Sequence, residues 1–316
     1  MKIVVLDGYT LNPGDLSWDE LSVLGDLVVY ERTSREQIFE RAKDAACVLT
    51  NKTVLDAETL SALPALRYIG VLATGYNVVD TAAASAQGIV VTNIPAYSTA
   101  SVAQMVFAHL LTIVQRVEHY TEQARNGVWS GKPDFCYWDT PLWELCGKQM
   151  GIVGLGNIGQ AVARIALSMG MTVAAVTSKQ PEDLMEGIRK VNLEELLRTS
   201  DVVTLHCPLN TETRELINKE TLEWMKPTAV LINTGRGGLV NGDDLAEALN
   251  QGQIYAAGID VMPEEPPVAS HPLLQAKNCF ITPHVAWATK EARIRLMKQA
   301  VDNLKAFLNN QPINVV

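Results

Sequence analysis

Three places in the chain set charged side chains just beyond short apolar runs: Arg236 in Asn233-Thr234-Gly235-Arg236-Gly237-Gly238, the acids of Met262-Pro263-Glu264-Glu265-Pro266, and His284 in Thr282-Pro283-His284. In open α/β sheets ligands bind beyond the carboxyl ends of strands, so these positions are candidates for chemistry. A planar guanidinium grips a carboxylate through two parallel hydrogen bonds and can polarise a neighbouring keto oxygen. An imidazolium can protonate that oxygen. A carboxylate beside the imidazolium orients the ring and favours its charged form. Glu264 and Glu265 are equally placed for that role, and the residues alone do not choose between them. Of the other histidines, His206 ends an apolar run beside Cys207-Pro208 and reads as structural or cofactor-lining, while His109, His119 and His271 read as helix or turn residues. No histidine pair has metal-ligand spacing with a carboxylate, and no metal is expected.

A second motif says what such a site would work with. Gly154-Leu155-Gly156-Asn157-Ile158-Gly159 follows the apolar run 150–153 and opens a helical pattern with Ile158, Ala161, Val162, Ile165, Ala166 and Met169 on one face. In that setting Gly154, Gly156 and Gly159 allow a tight turn, close approach of a pyrophosphate and close helix packing, and the helix start at Asn157 and Ile158 offers unpaired N–H groups. The expected cofactor is a nicotinamide dinucleotide. An acid about 20 residues further on, which would bind the adenosine ribose of NAD, is absent. The run 172–176 ends in Thr177-Ser178-Lys179, and the first acid is Glu182. Two hydroxyls and an ammonium suit a 2′-phosphate, so NADP(H) is favoured and NAD(H) remains open.

The elements that must position these groups alternate along the chain. Strand-like runs at 3–6, 27–30, 47–50, 67–70 and 90–92, and again at 150–153, 172–176, 202–206, 229–233, 256–260 and 280–282, are separated by helical patterns. That alternation predicts an α/β protein with two doubly wound parallel sheets. At 316 residues the chain exceeds what one core usually serves. Ser34 with Gln37 predicts a capped helix start, and another helix follows Asp56. A change of texture at 93–101 precedes the amphipathic stretch 102–117 and marks a domain boundary, while 127–147 reads as a long loop. The final helix, 289–309, has no strand of its own to cover and can return to the first domain. A net charge of −9 without a basic run argues against nucleic acid or an anionic membrane as partner. Five scattered cysteines fit reduced thiols, and no apolar stretch has signal-peptide or membrane-spanning length, so a cytoplasmic protein is expected.

In order and setting, Gly154–Gly159, the Asn233-to-Gly238 turn, the Asp260-to-Pro266 turn and Thr282-Pro283-His284 resemble the D-isomer-specific 2-hydroxyacid dehydrogenases over the whole chain. Ala73-Thr74-Gly75-Tyr76-Asn77, Tyr97-Ser98-Thr99-Ala100-Ser101 and His284-Val285-Ala286-Trp287 look closest to the glycerate dehydrogenase (hydroxypyruvate reductase) branch. The resemblance implies Arg236 as substrate-gripping arginine, Glu265 rather than Glu264 as carboxylate partner, and His284 as acid–base residue. It also implies that the amides of Thr74 and Gly75 take the substrate carboxylate, with Lys52 near the far end of the substrate and Trp287 lining it. Asp260 is expected to hydrogen-bond the nicotinamide amide, and Cys207, Pro208, Thr234 and Gly235 to line the cofactor. The implied architecture is a Rossmann cofactor domain, 99–285, inserted into a flavodoxin-like substrate domain, 1–98 with 286–316, in a homodimer built on the 102–117 helix. The implied reaction is hydride transfer to a small 2-keto acid, hydroxypyruvate or glyoxylate, giving D-glycerate or glycolate. Other 2-hydroxyacid or formate dehydrogenases share the scaffold, as do dinucleotide-sensing corepressors. Thr177 departs from the family pattern, since NAD-using relatives place Asp there.

Overall fold

Valine, isoleucine and leucine fill the short runs that become strands, and several of these are buried along their whole length, as strands covered on both faces must be. The computed structural model describes all 316 residues. Lys2–Val5 (β1), Asp26–Val29 (β2), Cys47–Thr50 (β3), Tyr68–Val71 (β4) and Val90–Thr92 (β5) form a parallel sheet in the order β2-β1-β3-β4-β5. This is the flavodoxin-like order. Its core includes Val4, Leu6, Ile38, Val48, Leu60, Ile69 and Val91. The expected helix starts are present: Gln37 Oε1 accepts the Ser34 N–H at 3.0 Å, and Asp56 accepts the Thr59 N–H at 2.9 Å. The final helix, Lys290–Leu308, packs on this sheet, with the rings of Tyr68 and Phe307 4.8 Å apart.

The second sheet comprises Gln149–Val153 (β6), Thr172–Val176 (β7), Ile188–Lys190 (β8), Val202–Leu205 (β9), Val230–Asn233 (β10), Ala256–Ile259 (β11) and Cys279–Ile281 (β12). All pairings are parallel, in the order β12-β11-β10-β9-β6-β7-β8. The chain reverses direction of winding at β6, between β7 and β9. That switch point is where such sheets hold ligands. The two faces carry separate cores, one around Leu196, Leu205, Leu231 and Leu245, the other around Val106, Leu110, Ile152 and Val162.

The compact units are Met1–Ser98 with Ala288–Val316, and Thr99–Trp287. The return to the first unit thus falls two residues later than expected from sequence. Ala286 stays with the second unit because its N–H donates to Asp260 and its carbonyl accepts from Ser101. Two further elements differ from expectation. β8 is unforeseen, since two of its three residues are exposed and charged. The 102–117 stretch is a helix Thr99–Gln115, broken at Arg116 (φ 52°) and followed by a second helix Val117–Arg125. No single helix is long and apolar enough to cross a membrane.

Candidate active site

His284 stands three residues past the end of the Cys279–Ile281 strand with φ of 53°, a left-handed conformation that side-chain-bearing residues seldom adopt. Its surroundings hold it there. The His284 N–H donates to the carbonyl of Asp260 at 2.8 Å and to that of Thr282 at 3.0 Å. The Asp260 carboxylate accepts the N–H groups of Val285 and Ala286, both at 2.9 Å, and the Thr282 hydroxyl at 2.6 Å. Asp260 is only 1% exposed. Three donors of its own chain engage the carboxylate, so Asp260 fastens the loop that carries His284.

The ring of His284 is oriented from the other side. Nδ1 lies 2.6 Å from Oε2 of Glu265, and Oε1 of Glu265 accepts the Met262 N–H at 3.0 Å. This geometry selects Glu265, and Glu264 is exposed beside it. With Nδ1 engaged, Nε2 is the nitrogen left for a reacting group.

Arg236 sits in a turn that Asn233 ties at both ends: Oδ1 accepts the Gly235 N–H at 3.0 Å and Nδ2 donates to the Arg236 carbonyl at 2.9 Å. A Cβ at Gly237 would stand 2.0 Å from the carbonyl carbon of Met262, so only glycine lets the arginine turn lie on the backbone that leads to Glu265. The guanidinium is exposed and donates from Nη1 to the Gly235 carbonyl at 2.8 Å. That single neutral partner leaves the rest of its fork available.

The residues predicted to take a dinucleotide lie along the same carboxyl edge. Gly154 has φ of 95°, and a Cβ there would be 2.5 Å from the Cys207 nitrogen. A Cβ at Gly159 would be 2.2 Å from the Gly154 carbonyl oxygen, whereas one at Gly156 meets nothing within 4 Å. Gly156 caps the helix Asn157–Ser168 without a side-chain acceptor, so N–H groups of the first turn, at Asn157 and Ile158, face open space. The Thr234 hydroxyl, before Gly235, is buried and has no partner within the chain. Open space at Gly156, free helix donors and an orphaned hydroxyl fit a bound dinucleotide. Past β9 come half-buried His206 and Cys207 and exposed Pro208. The His206 ring meets the Thr204 hydroxyl at 2.9 Å, and burial pushes its pKa down to about 4, so it is neutral at pH 7. At the end of β7, Thr177, Ser178 and Lys179 form a short turn in which the Thr177 hydroxyl accepts the Lys179 N–H at 3.2 Å. Lys190 of β8 donates to the Lys179 carbonyl at 2.6 Å and adds a second ammonium, which the sequence reading missed because it missed the strand.

Of the other expected substrate residues, Lys52, Thr74 and Gly75 belong to the first unit. Lys52 follows β3, and its loop is held by Asp7 at the end of β1: the carboxylate accepts the N–H groups of Asn51, Lys52 and Thr53 at 2.7, 2.6 and 2.7 Å. Asn51 in turn donates to the Leu72 carbonyl at 2.7 Å, linking this loop to the one after β4. There Thr74 is fixed by its hydroxyl, which donates to the Ile94 carbonyl at 2.8 Å, and by Asn93, which donates to its carbonyl at 2.8 Å. The N–H groups of Thr74 and Gly75 donate to no other backbone group. Trp287 is partly buried at the end of the second unit. Asp7, Asn93 and Asn233 were not singled out from sequence; a polar residue at the end of an apolar run is the signal they share.

Residues 107–286 match the family described as D-isomer specific 2-hydroxyacid dehydrogenase, NAD binding domain. The chain is 51% identical to a hydroxypyruvate reductase of Blautia hydrogenotrophica, covering 100% of this chain and 99% of that one. It is 41% identical to a glycerate dehydrogenase of Methylorubrum extorquens, covering 100% and 98%. Among solved structures, an acyclic imino acid reductase in complex with NADPH and D-Arg superposes with a TM-score of 0.86 at 31% identity, covering 100% of both chains.

Proposed function

The chain belongs to the D-isomer-specific 2-hydroxyacid dehydrogenases and is an NAD(P)-dependent oxidoreductase of that family; from that premise we propose that it reduces hydroxypyruvate and glyoxylate to D-glycerate and glycolate. The observation that carries the reading is the 2.6 Å contact between Glu265 and Nδ1 of a histidine held at the carboxyl edge of the dinucleotide sheet. When bound, the nicotinamide supplies the hydride. His284 donates its Nε2 proton to the keto oxygen, and Glu265 holds the opposite N–H and offsets the ring's positive charge. Arg236 leaves the Gly235 carbonyl to grip the substrate carboxylate and polarise the keto group. The amides of Thr74 and Gly75 take the same carboxylate, Lys52 faces the far end of the substrate, and Trp287 lines it. Gly154, Gly156, Asn157, Ile158 and Gly159 hold the pyrophosphate, with Cys207, Pro208, Thr234 and Gly235 lining the cofactor.

NADP(H) is the proposed preference. No carboxylate stands at 177–179 to repel a 2′-phosphate, and the ammonium groups of Lys179 and Lys190 favour one. The protein acts in the cytoplasm as a homodimer, a reading supported by the exposed apolar side chains of Val117, Trp129, Phe135 and Trp138 in the second unit. Initial rates with hydroxypyruvate, glyoxylate, pyruvate and formate, each with NADH or NADPH (NAD⁺ or NADP⁺ for formate), test the whole reading. Hydroxypyruvate and glyoxylate with NADPH should be the fastest. A clear preference for pyruvate or for formate oxidation overturns the substrate assignment.

A further inference from the structure

A second histidine lies on the buried side of the loop that presents His284. His109 is 4% exposed, on the inner face of the helix Thr99–Gln115, and its Nε2 is 3.0 Å from the Thr282 hydroxyl. That hydroxyl donates to Oδ1 of Asp260 at 2.6 Å. A hydroxyl has one proton to give, so toward His109 it accepts, and the His109 proton sits on Nε2. Gly258 makes the arrangement possible, because a Cβ there would stand 2.7 Å from the His109 Cβ. On the same helix the Ser101 hydroxyl donates to the Ala286 carbonyl at 2.5 Å. One helix thus holds the loop at Ala286 directly and, through Thr282, reaches the carboxylate that binds the N–H groups of Val285 and Ala286. His284 lies between these fixed points in a backbone conformation that would relax if they were lost.

We propose that His109 and Thr282 are positioning residues for the reaction, a buried hydrogen-bonded support that aims Asp260 and thereby holds His284 in the conformation from which it delivers its proton. The inference rests on the reading of His284 as the acid. It assigns His109 a role that packing alone would not require, since an apolar side chain would fill the same space without a proton to donate. Burial also holds the pKa of His109 below its ordinary value, so the ring stays neutral and the donor is Nε2–H alone.

Thr282→Val keeps volume and removes the hydroxyl, whereas Thr282→Ser keeps the hydroxyl. The measurements are kcat and KM for hydroxypyruvate, the NADPH dissociation constant by fluorescence, and thermal stability. Thr282→Val should lower kcat by about tenfold to a hundredfold, the scale of a misplaced reacting group, with cofactor affinity within about twofold of the parent. Thr282→Ser should retain most of the parental kcat. His109→Leu should match Thr282→Val, the double variant should be no slower than either, and His109→Gln, which keeps an N–H donor, should recover part of the rate. Parental kcat in Thr282→Val, or an equal loss in Thr282→Ser, overturns the proposal, and the Thr282 pair decides it even if His109→Leu fails to fold. His284→Gln measured alongside separates the two ideas. A slow His284→Gln with a parental Thr282→Val removes the support and leaves the acid in place; a parental His284→Gln removes both.

Discussion

His284 can offer a proton through only one ring nitrogen, because Glu265 occupies the other at 2.6 Å. Replacing His284 by Gln should therefore lower kcat by about 10² to 10⁴, the usual worth of a positioned acid, while cofactor affinity stays near the parental value. Arg236→Lys keeps charge but loses the two-pronged grip, so kcat/KM for hydroxypyruvate should collapse; retained activity would make Arg236 structural. Thr177→Asp places a carboxylate where NADPH would bring its 2′-phosphate, and the ratio of kcat/KM values should move toward NADH. An unchanged ratio would mean that the cofactor is read elsewhere. At this scale the sequence singled out arginine and histidine as candidates by type and place. Glu264 and Glu265 could not be separated from spacing, since what distinguishes them is which carboxylate meets a ring from a different strand. The cofactor role of Asp260 came from the resemblance alone; its hold on the N–H groups of Val285 and Ala286 had no signal in the sequence. His109 was read as an ordinary helix residue; a polar side chain on the apolar face of that helix was the available signal.

The glycine-rich turn shows how an element can be tested apart from a residue. Gly159→Ala forces a methyl to within 2.2 Å of a backbone oxygen, whereas Gly156→Ala projects one into open space. The first should lose both thermal stability and cofactor affinity, since overpacking against rigid neighbours costs about 1–3 kcal/mol. The second should keep the parental Tm and lose cofactor affinity alone. If Gly156→Ala binds NADPH normally, the open space is not where the pyrophosphate lies. Strands with continuous apolar runs, such as β3 and β9, were legible because burial on both faces demands such composition. β8 was not, because three residues with two exposed charges carry no period. Nor was the break at Arg116, which no proline or glycine announces.

Across the molecule, alternation of strand and helix patterns made both sheets legible, and the last helix could be assigned to the first unit because it had no strand of its own to cover. Strand order within a sheet has no local signal, because it is set by pairing between runs far apart in the chain. Acid should weaken the fold through His206. Its ordinary value of 6.5 falls to about 4 in the folded state, so between these the unfolded chain binds a proton that the folded chain refuses. Stability is full above pH 6.5 and declines as pH drops toward 4. His109, also lowered, acts in the same direction. His206→Gln should show a shallower fall of Tm between pH 7 and pH 5 than the parent, and parallel curves would exclude His206 as a source. A last consequence concerns the loop at 51–53, whose three amides already hold the carboxylate of Asp7. Converging amides of this kind are a common cradle for phosphate, and this one is filled by the chain itself. Lys52 is left as a single ammonium with a like-charged neighbour of any anion behind it. On the proposed placement of Lys52 at the remote end of the substrate, the negative charge of Asp7 behind it would disfavour a doubly negative phosphoryl group relative to a hydroxymethyl group or a hydrogen. Phosphohydroxypyruvate should accordingly be a poor substrate and a weak competitor of hydroxypyruvate, and Asp7→Asn should narrow that gap.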